Sequence, residues 1–353
     1  MKQTLLAAAI MACASIVGAT AQTSVGTSQG FTESYSARQP FRNFDVSITG
    51  GSMGIGIEAA TKISNLFRLR AGVSTMPHWK RDMNFEVRVG DEAARQYDSN
   101  GNRVESKFDR LRTHMKDLTG YDVDDQIVME GRPKYWNTKL ILDITPFTNK
   151  HWYVSAGFYL GNKLFADAEV SKYDMTTMLA VGLYNNMYLK AMNNEPFITY
   201  NNQDVYNDQL ADRLRSYGRM QYLIGYMKGS GEPCYADPDE NGIIKVKAHV
   251  NKFKPYFGFG YQGRLSKAEP QWQVGFDAGM LFWGGKPHVY TDRTIMVEEE
   301  DPETGATRYS YRKERIDMAR DLKNYPNNIK DKMSLLKSLV VMPVLDVKIT
   351  HSF

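Results

Sequence analysis

Six or more segments of this chain alternate apolar and polar residues with a period of two, the repeat of a strand whose two faces meet different surroundings. Phe67, Leu69, Ala71 and Val73 share one face, with Arg68, Arg70, Gly72 and Ser74 on the other. Trp136, Leu140, Leu142 and Ile144 oppose Asn137, Lys139, Asp143 and Thr145. The same rhythm runs through Trp152 to Gly161, Tyr256 to Gln262, Trp272 to Phe282 and Val341 to Thr350. These runs are about 9 to 12 residues long, the length of a tilted membrane strand and well beyond the ordinary strand of about five or six.

A soluble sandwich also alternates, so length alone does not decide. Trp136, Trp152, Trp272 and Phe282 lie near the ends of the runs and on their apolar faces, where interfacial girdles sit in membrane barrels. The connections alternate too. Residues 61–65, 147–150 and 264–270 are short turns, whereas 77–134, 163–243 and 285–339 are long. Short turns on one rim and long loops on the other describe an outer-membrane barrel. Near the N-terminus, Phe44, Val46 and Ile48 are apolar at even positions but Met53, Ile55, Ile57 and Ala59 at odd ones. A two-residue hairpin at Gly50-Gly51, pairing Ile48 with Met53 and Val46 with Ile55, produces that flip. One long strand with a glycine bulge is the rival. The hairpin is preferred because it gives eight strands and leaves both chain ends on one rim.

Composition removes other classes. Of 353 residues 42% are hydrophobic and 24% charged, with a mean hydropathy of −0.46. No stretch beyond the N-terminus has the roughly 18 consecutive apolar residues of a membrane helix, which excludes a helical transporter. The 21 Tyr, 16 Phe and 5 Trp beside 28 Gly favour β-structure. A formal charge of +4 is too small to argue for nucleic acid. Lys2, the apolar run Leu5 to Val17 and the small residues Gly18-Ala19-Thr20-Ala21 before Gln22 read as a secretory signal cut after Ala21. A buried N-terminal helix and lipidation at Cys13 are the alternatives. Cleavage there leaves Cys234 as the only thiol.

The last residue, Phe353, continues the phase of Leu345, Val347 and Ile349. With that terminus the chain resembles Gram-negative outer-membrane β-barrel proteins. So do its glycine- and aromatic-rich segments Pro255 to Tyr261 and Gly275 to Phe282, and Leu69-Arg70-Ala71-Gly72. The resemblance implies that Phe353, Ile349, Val347 and Leu345 form the signal read by the barrel-assembly machinery, although His351 stands where the family usually has an aromatic or apolar residue. The expected fold is an all-β membrane barrel, antiparallel and up-and-down, of about eight strands (8–12), with long, partly helical extracellular loops. Residues 1–21 are read as signal peptide, 22–40 as an N-terminal segment and 41–353 as the barrel.

If the apolar face meets lipid, the other lines the interior. That face carries Asp45, Glu58, Arg68, Arg70, Lys139, Asp143, Asp277, Asp346 and Lys348. Eight strands enclose a space that side chains fill, and buried charges are tolerated when paired, so an interior ion-pair network is expected in place of a pore. In the loops, helices are expected over Glu105 to Leu118, Val205 to Tyr217, Arg312 to Leu322 and Lys330 to Leu339, folded over the barrel mouth.

Chemistry is sparse. Asp237, Asp239 and Asn241 match half of an EF-hand calcium loop, but the twelfth position is Ala248. A plain turn is the stronger reading. The Asp98-Ser99-Asn100-Gly101 segment is also a turn, and the acidic run Glu298 to Asp301 a solvated loop tip. No nucleophile motif is present, and His78, His249 and His288 near the rims are the residues an envelope hydrolase would use. No catalytic, cofactor or resident metal site is expected. The expected function is a plugged barrel with a structural or surface-binding role through its loops, in contact with outer-membrane lipid. The alternatives are a small-solute or lipid channel, and a barrel enzyme acting on envelope lipid or peptide; a soluble secreted β-protein is the rival at the level of fold.

Overall fold

The computed structural model of the chain describes residues 44–353 except 121, 201–202, 237, 239–241, 301 and 303–304. Among the described residues eight antiparallel strands close a barrel: β1 (Phe44–Gly51), β2 (Gly54–Lys62), β3 (Phe67–Thr75), β4 (Trp136–Ile144), β5 (Trp152–Gly161), β6 (Phe253–Arg264), β7 (Trp272–Leu281) and β8 (Met342–Ser352). Each pairs with its neighbour in chain order and β8 returns to β1, with Ile48 opposite Ile349, so no edge is left. No described helix is long and apolar enough to cross a membrane.

The exterior is the apolar face of the alternation. Ile48, Ile57, Phe257, Phe259, Met280, Leu345 and Val347 are each at least half exposed. Trp152 lies edge-on to Tyr261, with centroids 5.1 Å apart, and Trp272 to His351 at 4.8 Å, both at the rim that carries the short turns. Trp136 marks the opposite rim. An apolar band flanked by aromatics is what a closed barrel shows to a bilayer.

The first hairpin is present, but its turn is at Ser52-Met53: Ile48 faces Ile57 and Val46 faces Ala59, in place of the expected Met53 and Ile55. The two registers differ by an even number of residues, so every side chain keeps its face. Gly50 and Gly51 are strand residues. A Cβ on Gly51 would lie 2.1 Å from the Leu345 carbonyl oxygen, so glycine there serves close strand approach and not a turn.

Residues 76–135, 162–252 and 282–341 leave the same rim, slightly wider than expected, and they form a cap with a sheet of its own. Arg81–Val89, Gln126–Pro133, Leu164–Val170, Lys245–His249 and His288–Glu300 follow one another in the order of β3 to β7, the strands to which they are joined. One side of the barrel wall is thus prolonged beyond the rim. Met220–Met227 and Pro233–Ala236 extend the sheet past Arg81–Val89, and Thr307–Asp317 past His288–Glu300.

Five helices fill and cover this sheet among the described residues: α1 (Lys107–Thr119), α2 (Met175–Met192), α3 (Asp208–Tyr217), α4 (Met318–Asp321) and α5 (Asn327–Ser338). Helix α1 starts at a capping box, with the Asp109 amide donating to Ser106 Oγ and the Ser106 amide to the Asp109 carboxylate. The expected helix over Arg312 to Leu322 is a correction: most of it is the strand Thr307–Asp317, and only Met318–Asp321 is helical. Eleven strand residues there pair with Glu300 back to Tyr290, and that ladder overrides the local helical spacing.

Helix α2 had no amphipathic signature to reveal it, because it is apolar around most of its circumference. Its Asn185 side chain both donates to the Met220 carbonyl (2.8 Å) and accepts from the Met220 amide (2.9 Å). Asn193, just past its end, does the same for Tyr309 at 2.9 and 2.7 Å. The two amides act as strand neighbours to backbone on strands at opposite sides of the sheet, and α2 bridges them. Phe85, Val87, Phe108, Met178, Val181 and Tyr222 belong to the buried core between sheet and helices.

Candidate functional site

Alternation turns every second barrel residue inward, and the nine charges named from the sequence all point into the lumen or its ends. Arg70 on β3 is wholly buried. Its Nε lies 2.7 Å from Asp143 on β4, and its Nη1 lies 3.2 Å from Glu58 on β2 and 2.9 Å from Asp277 on β7. In a ring of eight, β3 and β7 are diametrically opposite, so the Arg70–Asp277 pair crosses the lumen. Lys139 meets Glu58 at 2.7 Å and Lys348 meets Asp277 at 3.2 Å. The Tyr153 hydroxyl donates to Asp277 at 2.8 Å and the Ser155 hydroxyl to Asp143 at 2.7 Å. Toward the short-turn rim, Arg68 pairs with Asp45 at 2.8 Å and bonds Gln262. Toward the cap, Asp346 accepts from the Met53 amide at 3.4 Å.

One lumenal charge escaped the sequence reading. Lys254 on β6 is buried and donates to Asn137 at 3.0 Å. It lies in phase with Tyr256 and could have been found by extending that run two residues. With it the lumen holds Arg68, Arg70, Lys139, Lys254 and Lys348 against Asp45, Glu58, Asp143, Asp277 and Asp346, a balanced set.

At the cap end of the lumen, level with Lys139 and Lys254, apolar and aromatic side chains fill the mouth. Met53, Tyr135, Ile141, Tyr159, Tyr256, Leu281 and Val344 form a buried cluster, and Phe165 packs on it. Tyr135 stacks on Phe165 at 5.1 Å, and Phe165 meets Trp283 edge-on at the same distance. Small residues make room for the large ones. A Cβ on Gly260 would lie 2.3 Å from the Tyr153 hydroxyl, and one on Gly258 equally close to that of Tyr256.

The cap carries a surface cleft of about 320 Å³ whose lining includes Asn84, Glu86, Arg88, Gln126, Asn327 and Asn328. On the same outward face of the cap sheet Glu130 is held by Lys80 at 2.7 Å and Arg132 at 2.6 Å. Hydrogen bonds from Lys80 and then Arg132 pull its carboxyl down to about 2.

The rim histidines divide. His249 and His288 are register partners, while His78 sits on another excursion. His288 Nδ1 lies 2.7 Å from Asp317, and its ring stacks on Tyr290 at 5.8 Å. No serine or threonine hydroxyl is shown hydrogen-bonded to either ring among the described residues. Burial, followed by the charges of Lys247, Arg315, Lys163 and His288, lowers the His249 pKa. Asp237, Asp239 and Asn241 lie outside the described residues. Asp98 makes the expected turn, accepting from the amides of Asn100 and Asn102.

A closed antiparallel barrel with an even strand number, an apolar outer band and aromatic girdles is the architecture of outer-membrane proteins. The protein is a barrel of this kind, and its place is the cell outer membrane. No family model matches the chain, and neither does any curated protein. Among solved structures it is similar to CarO of Acinetobacter baumannii, with 11% identity, a TM-score of 0.33 and coverage of 89% of this chain and 98% of that one. It is similar to CarO2 of the same organism, with 14% identity, a TM-score of 0.34 and coverage of 89% and 100%. A major outer membrane protein from Thermus thermophilus matches with 12% identity, a TM-score of 0.28 and coverage of 88% and 98%. At such scores nothing about ligand or activity passes from those proteins to this chain.

Proposed function

We propose that the protein is a non-conducting outer-membrane anchor that displays a folded cap on the cell surface, and that any binding it does is the work of the cap. The observation that carries this is the Arg70 guanidinium reaching carboxylates on β2, β4 and β7 across the lumen, beneath an aromatic closure of the mouth. A path for solute would have to break those ion pairs in a low-dielectric interior and also displace Tyr159 and Tyr256. In this reading residues 1–21 direct export, the barrel proper runs from about the first strand to Phe353, and Leu345, Val347, Ile349 and Phe353 are presented to the assembly machinery. Those four side chains face outward and are each at least half exposed. Lipid is the partner of the belt, nucleic acid is not a partner, and no catalytic role is assigned.

Reconstitution of the full chain in planar bilayers tests the reading. The expected record is flat, or broken only by rare, small events. A stable, large and reproducible conductance would replace the anchor by the channel.

A further inference from the structure

We propose that Lys163, Lys247, His249 and Arg315 form a seat for a phosphate group on the headgroup of an outer-leaflet lipid. The seat lies directly beyond the apolar belt. Leu160 and Phe253 are register partners at the cap-side ends of β5 and β6, both exposed, and they are the last lipid-facing pair on these strands. Lys163 and His249 are three and four residues further on, about 10–13 Å along the chain and less in height because the strands tilt. That is the depth at which headgroups begin.

The direction of the side chains follows from the sheet. Val246 packs on the cap core and Ala248 is buried, so Lys245, Lys247 and His249 face out. On the neighbouring strand Tyr290 pairs with Lys247 and His288 with His249, on the same face. Tyr290 lies against both imidazoles, at 5.4 Å from His249 and 5.8 Å from His288, and fixes their positions.

The patch has more cation than anion. Neither Lys163 nor Lys247 has a carboxylate within 4 Å among the described residues. Asp167, opposite Lys247 in register, is taken by Lys134 at 3.3 Å. Asp292 stands 3.5 Å from Arg315, and Asp317 is held by His288. The lowered proton affinity of His249, after burial, comes from this surplus of positive charge. Lys163 adjoins His249 across the strand pair and Lys247 lies two residues from it on the same face, with Arg315 further out beside Asp292. Ammonium and guanidinium donors match the oxygens of a phosphate, and its acyl chains would lie along Phe158, Leu160 and Phe253. Continuity with that apolar row assigns the phosphate to a lipid and not to a free anion.

Native mass spectrometry of the full chain in non-ionic detergent tests the seat. The probes are a lipid with a bisphosphorylated, acylated diglucosamine headgroup, the same lipid without its phosphates, and inorganic phosphate. The phosphorylated lipid is expected to bind at least tenfold more tightly than the dephosphorylated one. Replacing three cations in K163Q/K247Q/R315Q is expected to weaken it on the order of a hundredfold, at about one charge's attraction each. K150Q/K267Q, which removes two cations at the opposite rim, should bind as the parent does. Heat-modifiable gel migration shows that each variant is folded. Equal binding of the two lipids, or equal binding by the triple variant and the parent, overturns the proposal. Inorganic phosphate occupying the site as tightly as the lipid overturns it too.

Discussion

Replacing Arg70 by methionine removes the one group that holds three lumenal carboxylates together, and the contacts that remain set the cost. Glu58 keeps Lys139 at 2.7 Å and Asp277 keeps Lys348 at 3.2 Å. Asp143 keeps only the Ser155 hydroxyl, at 2.7 Å. The loss therefore amounts to one buried carboxylate left without a cation, about 3–5 kcal/mol. A second substitution, D143N, removes the stranded charge, so R70M/D143N should recover about 1–3 kcal/mol of that loss, a coupling that independent sites do not show. Urea unfolding in lipid vesicles, followed by tryptophan fluorescence and by heat-modifiable gel migration, measures both variants. R70M within about 1 kcal/mol of the parent would refute the reasoning, and so would strictly additive effects of R70M and D143N.

Phe257 is 60% exposed near mid-height of the belt, so Phe257→Arg should cost about 2–4 kcal/mol in the same vesicle assay, while the neighbouring cap stays folded. Asn185→Leu leaves the amide and carbonyl of Met220 buried without partners; a loss of roughly 2 kcal/mol or more is expected, read as cap proteolysis that spares the barrel. For Glu130 the folded pKa of about 2 lies below the unfolded value of 4.5. Its contribution is therefore complete above about pH 4.5 and is lost as the pH falls toward about 2. Cap proteolysis measured across that window should rise less steeply in E130Q, and an unchanged slope would count against the Lys80–Glu130–Arg132 contact.

Barrel and cap differ in how readable they are. Each barrel strand has one neighbour before and one after it in the ring and a fixed apolar outside, so phase alone places Arg70, Asp277 and Tyr153 inward and Phe257 and Leu345 outward. The hairpin turn slipped to Ser52-Met53 because phase tells the face of each residue but not how close β8 comes to Gly51. Lys254 is legible by the same rule, since it lies in phase with Tyr256 at the start of β6. In the cap, Arg312 to Asp317 falls within a stretch of helical spacing, yet the ladder against His288–Glu300 makes it a strand.

The sequence by itself determined which face of each recognised strand meets lipid, and hence that charges such as Arg70 and Asp277 turn inward, because a bilayer enforces period two along every strand. The count of eight, within an expected 8–12, was fixed by ring closure among the described residues. Only the tertiary structure decided that Arg70 reaches across to Asp277, since that depends on ring closure setting β3 opposite β7. It alone decided that the three long excursions prolong the wall into a single cap, because their pairing joins residues far apart in the chain. It alone brought Lys163 beside Lys247 and His249, where cross-strand register and not sequence spacing makes neighbours.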